Sequence, residues 1–194
     1  MKHKKPFIVA EISGNHKQSL KRALKLIDVA AQSGVDAIKL QTFKPDEMTL
    51  NIKKGEFLLK SKKINGIWRN KTLYEIFNKA KTPWKWHKKI FDRAKKRGLN
   101  FFSSPFDENA VDFLEDLNVP FYKIASAENI HFPLLKKVAK TKKPIIISTG
   151  MISTRELDEV VSFVRKFGCK NKNIVVLQKD QLKGVQIGFP MKIC

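Results

Sequence analysis

F-Y-K-I-A-S-A-E, residues Phe121 to Glu128, reads as a short apolar strand that runs straight into a cation, a hydroxyl and a carboxylate: Lys123, Ser126 and Glu128. An ammonium inside an apolar strand costs several kcal/mol of desolvation unless an anion meets it, so Lys123 needs a partner from the protein or from a ligand. The same pattern recurs along the chain. Phe7 to Ile12 is an apolar run holding Glu11 and ending in the turn residues Ser13-Gly14-Asn15-His16. Asp36 to Gln41 carries Lys39 and Gln41, Leu99 to Ser103 leads into Ser104-Pro105-Phe106, and Pro144 to Ser148 gives way to Thr149-Gly150-Met151. A sixth run, Ile174 to Leu177, is purely apolar.

Amphipathic segments alternate with these runs. Leu20, Ala23, Leu24, Ile27 and Ala31 form one stripe and Trp86, His87, Ile90, Phe91 and Ala94 another. Further helices are striped by Ala110, Phe113, Leu114 and Leu117, by Leu134, Leu135, Val138 and Ala139, and by Leu157, Val160, Val161 and Val164. Thr82-Pro83 reads as an N-cap with proline at the first helical position, Asp107 as a cap, and Ser153 with Glu156 as a capping box. Gly34, Gly98 and Gly168 stand where helices should stop. Residues 42–81 break the alternation, with turn signals at Lys53-Lys54-Gly55 and Asn65-Gly66 and one helix near Leu73 to Lys79. A connection that long is usually functional, for instance a lid.

Strands alternating with helices mean parallel α/β. At 194 residues a doubly wound open sheet would be complete, whereas a (β/α)8 barrel takes about 250. Placement of the polar groups argues for the barrel. An open sheet gathers ligands only at its switch point, but a barrel brings every strand end to one mouth, and here five consecutive strand ends are polar. The expected fold is an incomplete TIM (β/α)8 barrel of about six βα units.

The formal charge of +21 directs attention to nucleic acid or an anionic membrane. Of the 39 basic residues, however, only six are Arg, and the 33 Lys are scattered along outer helix faces. Arg forks and clustered patches mark phosphate and base recognition, so neither nucleic acid nor membrane is the expected partner. Cys169 and Cys194 form no disulfide framework or metal-ligand spacing. The start has too few apolar residues before Glu11 for a signal-peptide core, and no run approaches the length of a membrane span. A cytoplasmic location is the default expectation.

Lys39 and Lys123, with Ser104, Ser126, Ser148 and Thr149, could cradle a doubly anionic group, lysine acting as point charge and hydroxyls as directional donors. Each lysine could instead be neutralised internally, by Glu11, Glu128 or Asp36. Glu128 is either a general acid/base or the counter-charge of Lys123. Asn15-His16 lies where a barrel places its active loops, although a lone His is more often structural. Trp84, Trp86 and His87 read as packing groups.

Together E-I-S-G-N-H (11 to 16), I-K-L-Q-T (38 to 42), S-S-P-F-D (103 to 107), Y-K-I-A-S-A-E (122 to 128) and I-S-T-G-M (147 to 151) resemble the sialic acid synthase family, in order over residues 7 to about 177. T-P-W-K-W-H (82 to 87) resembles its pseudaminic acid synthase branch. The resemblance implies condensation of phosphoenolpyruvate with an N-acetylated, di-acetamido deoxy hexosamine to a nine-carbon keto acid, with phosphate leaving by C–O cleavage. It implies that Lys39, Ser104, Lys123, Ser126 and Ser148 contact phosphoenolpyruvate, that Gln41, Asn15 and His16 lie at the sugar, and that Glu11 and Glu128 are the catalytic carboxylates. Ser104 stands where the family more often has threonine; the hydroxyl is kept. A divalent metal, Mn or Mg, is expected of the family, with histidine ligands on βα units not found here, and full-length relatives are expected to be homodimers. Residues 1–177 correspond to the N-terminal part of the synthase barrel, residues 178–194 read as an aberrant tail, and no C-terminal antifreeze-like (SAF) domain follows. A truncated or frame-shifted product, weakly active or inactive alone, is the expectation.

Overall fold

The computed structural model describes residues 6–59, 70–150, 152–179 and 186–190, the last stretch and residues 178–179 by backbone alone. The Asn65-Gly66 turn signal and Met151 lie outside the described residues. The chain divides into two compact units, Met1–Phe101 and Phe102–Cys194.

In the first unit β1 (Val9–Glu11) pairs in parallel with β2 (Ala37–Thr42), Glu11 lying opposite Lys39. β1 is shorter than its apolar run, and Phe7 and Ile8 before it are exposed. Helix α1 (Leu20–Gln32) joins the pair, capped by the Ser19 side chain, which accepts from the Arg22 N–H, and buries Ala23, Ile27 and Ala30. Side chains alternate along β2, so Lys39 and Gln41 share one face and Ile38, Leu40 and Thr42 the other. The second face meets α4 (Trp84–Lys96), where Thr42 hydrogen-bonds His87. Before α4 come α2 (Pro45–Met48) and α3 (Leu73–Ala80), the latter opened by a Thr72–Glu75 capping box. Thr82 does not cap α4: Pro83 is the N-cap residue, and the Thr82 hydroxyl is turned to His16 instead. At the end of the unit β3 (Asn100–Pro105) begins beside β2, the Asn100 N–H donating to the Asp36 carbonyl at 3.1 Å.

β3 continues into the second unit. There it is followed by α5 (Glu108–Asp116), β4 (Tyr122–Ile124), α6 (Phe132–Lys140), β5 (Ile145–Ser148), α7 (Thr154–Lys166) and β6 (Ile174–Lys179). β3 to β6 are parallel neighbours in chain order. That order never reverses within either unit, which is the winding of a barrel and not of a doubly wound sheet with its switch point. Asp107 caps α5 and Ser153 with Glu156 caps α7, as their residue types predict. The helices bury Val111 and Leu114, Leu134, Leu135 and Val138, and Val160 and Val164 against the sheet, each aliphatic burial contributing about 1.5–3 kcal/mol. Tyr122, Ile124, Ile145 and Ile147 form the fully buried face, the Tyr122 hydroxyl donating to Glu115 Oε1 at 2.5 Å. Lys123, Ile146 and Ser148 occupy the opposite face, because Lys123 lies opposite Ile146 in the β4–β5 register.

β6 runs two residues beyond its predicted end. Its outer edge is paired in antiparallel register with β7 (Gln186–Pro190), Leu177 opposite Gly188. An antiparallel seventh strand departs from the βα alternation, and it covers the β6 edge that an open six-stranded sheet would leave unpaired.

Candidate functional site

In the first unit the polar groups gather at the ends of β1 and β2. Lys39 is buried and forms an ion pair with Glu11, so the internal partner left open by the sequence is the one realised in this unit. Glu11 is more exposed than Lys39 and also accepts from the Ser13 hydroxyl at 2.7 Å and the Ser13 N–H at 3.2 Å. Gln41, two residues along, is half-buried on the same strand face as Lys39.

The loop after β1 is strained and fully tied down. Ser13, Lys17 and Gln18 all take left-handed conformations, with φ of 40°, 48° and 56°. Each costs a non-glycine residue roughly 1–2 kcal/mol, and such conformations persist where surrounding contacts over-determine them. The contacts are present. Gln18 Nε2 donates to the Lys79 and Lys81 carbonyls at 2.8 and 2.6 Å, and Arg22 Nε donates to the Asn15 carbonyl at 2.9 Å. Gly14 approaches Ala80 so closely that a Cβ would lie 3.1 Å from its carbonyl oxygen. Asn15 is exposed, and His16 is buried completely. His16 Nδ1 accepts from the Gln18 N–H, so its Nε2–H donates to Thr82 Oγ1 at 3.1 Å, while its ring meets Trp86 edge-on. Burial without an acidic neighbour holds its pKa below the ordinary value. The described part of the 43–81 insertion is therefore docked on this loop through α3 and residues 79–82; Phe77 meets Phe43 edge-to-face and Tyr74 reaches Asp46.

In the second unit the ends of β3, β4 and β5 supply the groups. Lys123 is 6% exposed and donates to Ser148 Oγ at 2.6 Å. The turn after β4, Ser126–Ile130, carries Ser126 and Glu128 and also Asn129, whose amide donates to the Ser148 carbonyl. Ser104 Oγ, Glu128 Oε2 and Asn129 Oδ1 are buried and make no hydrogen bond. Groups of that kind cost about 1–3 kcal/mol each when left unsatisfied, and they cluster where a ligand completes the bonding. Burial raises the Glu128 pKa, outweighing its own backbone hydrogen bond and the Lys123 charge, which act the other way. The second unit thus brings Ser104, Lys123, Ser126, Glu128 and Ser148 together on strand ends, and the first unit brings Glu11, Lys39, Gln41, Asn15 and His16. Asn129 and Gln18 had no motif to announce them, and Ser13 stood in the E-I-S-G-N-H motif without being singled out. Asn129 was signalled only by being the third polar residue in S-A-E-N, and Gln18 acts through a contact more than sixty residues away.

A model of the family described as "NeuB family" matches residues 26–180. The chain belongs to the NeuB family. This NeuB chain is 44% identical over 161 residues to the pseudaminic acid synthase of Helicobacter pylori, covering 83% of the chain and 46% of that protein. It is 43% identical over 175 residues to the pseudaminic acid synthase of Campylobacter jejuni, covering 90% and 49%. It spans about half the length of these curated relatives. Among solved structures, the N-acetylneuraminic acid synthetase of Leptospira borgpetersenii superposes with a TM-score of 0.76 at 24% identity, covering 93% of this chain and 58% of that one. The spore coat polysaccharide biosynthesis protein spsE of Bacillus subtilis does so with a TM-score of 0.69 at 28% identity, covering 90% and 44%. The fold is that of these proteins, an incomplete TIM-like barrel.

Among the described residues no three or more His, Cys, Asp and Glu side chains are placed to hold a metal ion. The described residues do not fit the divalent metal expected of the NeuB family. Among the same residues no helix is long and apolar enough to cross a membrane.

Proposed function

We propose that this chain carries the anion-binding part of a nonulosonic acid synthase of the pseudaminic type, binding phosphoenolpyruvate for condensation with an N-acetylated, di-acetamido deoxy hexosamine. The observation that carries the reading is in the second unit: a buried ammonium clamped to a serine, beside buried hydroxyl and carboxyl oxygens with no protein partner. An anion with several acceptor oxygens completes that set. Lys123 supplies charge, and Ser104, Ser126 and Ser148 supply directional donors that hold the ligand in attack geometry. Glu128, whose pKa burial raises, is placed to give a hydrogen bond or a proton to an oxygen of the bound anion. Within the first unit, Lys39, held by Glu11, shares a strand face with Gln41, the residue assigned to the sugar. Asn15 is exposed for sugar contact, whereas His16, with both ring nitrogens engaged, shapes the loop beneath it. The similarity to synthases supports the reading.

Calorimetry with phosphoenolpyruvate tests it. Wild-type protein is expected to bind, and Lys123→Met to lose about two orders of magnitude in affinity, in keeping with removal of a charge-assisted contact of about 1.5–3 kcal/mol. Equal affinity in the two proteins refutes the reading. Phosphate release with sugar and Mn or Mg then separates a turning-over synthase from a chain that binds without turnover, which is the outcome proposed for these residues alone.

A further inference from the structure

We propose that Asn129 is the positioning residue of the second-unit cradle: its buried amide fixes the end of β5 so that Ser148 meets Lys123. The inference rests on the proposed anion site and deepens it. Four observations converge. Asn129 is fully buried in the turn that also carries Ser126 and Glu128. Its Nδ2 donates to the Ser148 carbonyl, and the hydroxyl of that same Ser148 accepts from Lys123 at 2.6 Å. Two residues on, Gly150 comes so close to the turn that a Cβ there would lie 2.9 Å from Ser126 Oγ. From the other side, the Thr149 N–H donates to the Leu177 carbonyl of β6 at 3.1 Å. The turn after β4 and the turn after β5 are therefore interlocked at Asn129–Ser148 and at Ser126–Gly150. Asn129, which makes the first lock, is not itself among the residues expected to touch the anion.

A buried ammonium has little tolerance for misplacement, because its desolvation is offset only while its partners stay in hydrogen-bonding geometry. Ser148 sits at the last position of β5, where ladder bonds end, so its backbone needs a further anchor. Asn129 provides it without adding charge beside Lys123. The Asn129 Oδ1 left without a partner is what the arrangement costs: the amide is oriented by its donor end alone.

The test is a double-mutant cycle on phosphoenolpyruvate affinity in the full chain, joined to a measurement that needs no ligand. Asn129→Ala and Ser148→Ala are each expected to weaken binding by about tenfold or more. The double variant should be no more than about twofold worse than the weaker single, because Asn129 acts through Ser148. Acetylation of Lys123 by acetic anhydride, followed by mass spectrometry, should rise severalfold in folded Asn129→Ala relative to wild type. If Asn129→Ala does not fold, Asn129→Leu fills the same space without the donor and should give the same two results. Fully additive losses, or unchanged Lys123 labelling, overturn the inference. If wild-type protein binds no phosphoenolpyruvate, the site assignment fails, yet the labelling still decides the role of Asn129.

Discussion

Glu128 and Lys123 lie five residues apart and respond to burial in different ways. Lys123 makes a directed bond to Ser148, whereas Glu128 has one oxygen without a partner and a pKa raised by desolvation. A carboxyl whose folded pKa exceeds its unfolded value contributes stability in the protonated form at low pH, and that contribution is lost as pH rises through the folded pKa. Glu128→Gln is therefore expected to stabilise the protein, and by more at pH 7 than at pH 4. Denaturant titrations at the two pH values check this; a gap that does not grow with pH contradicts the burial argument.

At the scale of elements, α4 is anchored to the sheet by a buried histidine whose tautomer is set at both ends. His87 Nδ1–H donates to the Pro83 carbonyl at 3.3 Å, leaving Nε2 to accept from the Thr42 hydroxyl at 2.9 Å. Burial lowers its pKa from 6.5 to about 4. A histidine held neutral in the fold stabilises above its unfolded pKa, and the stability is lost as pH falls from 6.5 toward 4. The loss amounts to roughly 3 kcal/mol at the lower end. His16, lowered by the same cause, adds to it with the same sign. His87→Gln should flatten the profile over that window, read by chemical denaturation at a series of pH values. The β6–β7 ladder gives a second expectation: Gly188→Pro removes a backbone N–H opposite Leu177 and should lower stability and promote aggregation, visible by light scattering.

For the whole molecule the dominant quantity is the formal charge of +21. Its basic groups are mostly lysines, and among the described residues several of the ion pairs away from the site are exposed, such as Lys88–Asp92 and Arg155–Glu159. Exposed pairs contribute about 0–1 kcal/mol, so net self-repulsion outweighs them. The thermal midpoint is expected to rise with added sodium chloride from low to physiological ionic strength, by Debye screening. A midpoint that falls with salt would mean that local pairs, not net repulsion, dominate.

Periodicity and cap chemistry made most helices and strands legible, because a helix stripe or a Ser153–Glu156 box is satisfied within a few residues of chain. Five polar strand ends also made the barrel legible, and the chain-order winding of the strands agrees with it. Thr82 shows the limit: locally it is a good cap, but a buried His16 from the loop after β1 competes for its hydroxyl and wins. Partner choice among charged groups was equally beyond local reading. The sequence by itself determined which residue types stand at which strand ends, since alternation along a strand needs no distant contact. Only the tertiary structure decided that Lys39 meets Glu11, that Lys123 meets Ser148, and that Asn129 holds the two turns together. Those pairings depend on strand register and turn placement, which exist only once segments distant in sequence are packed side by side.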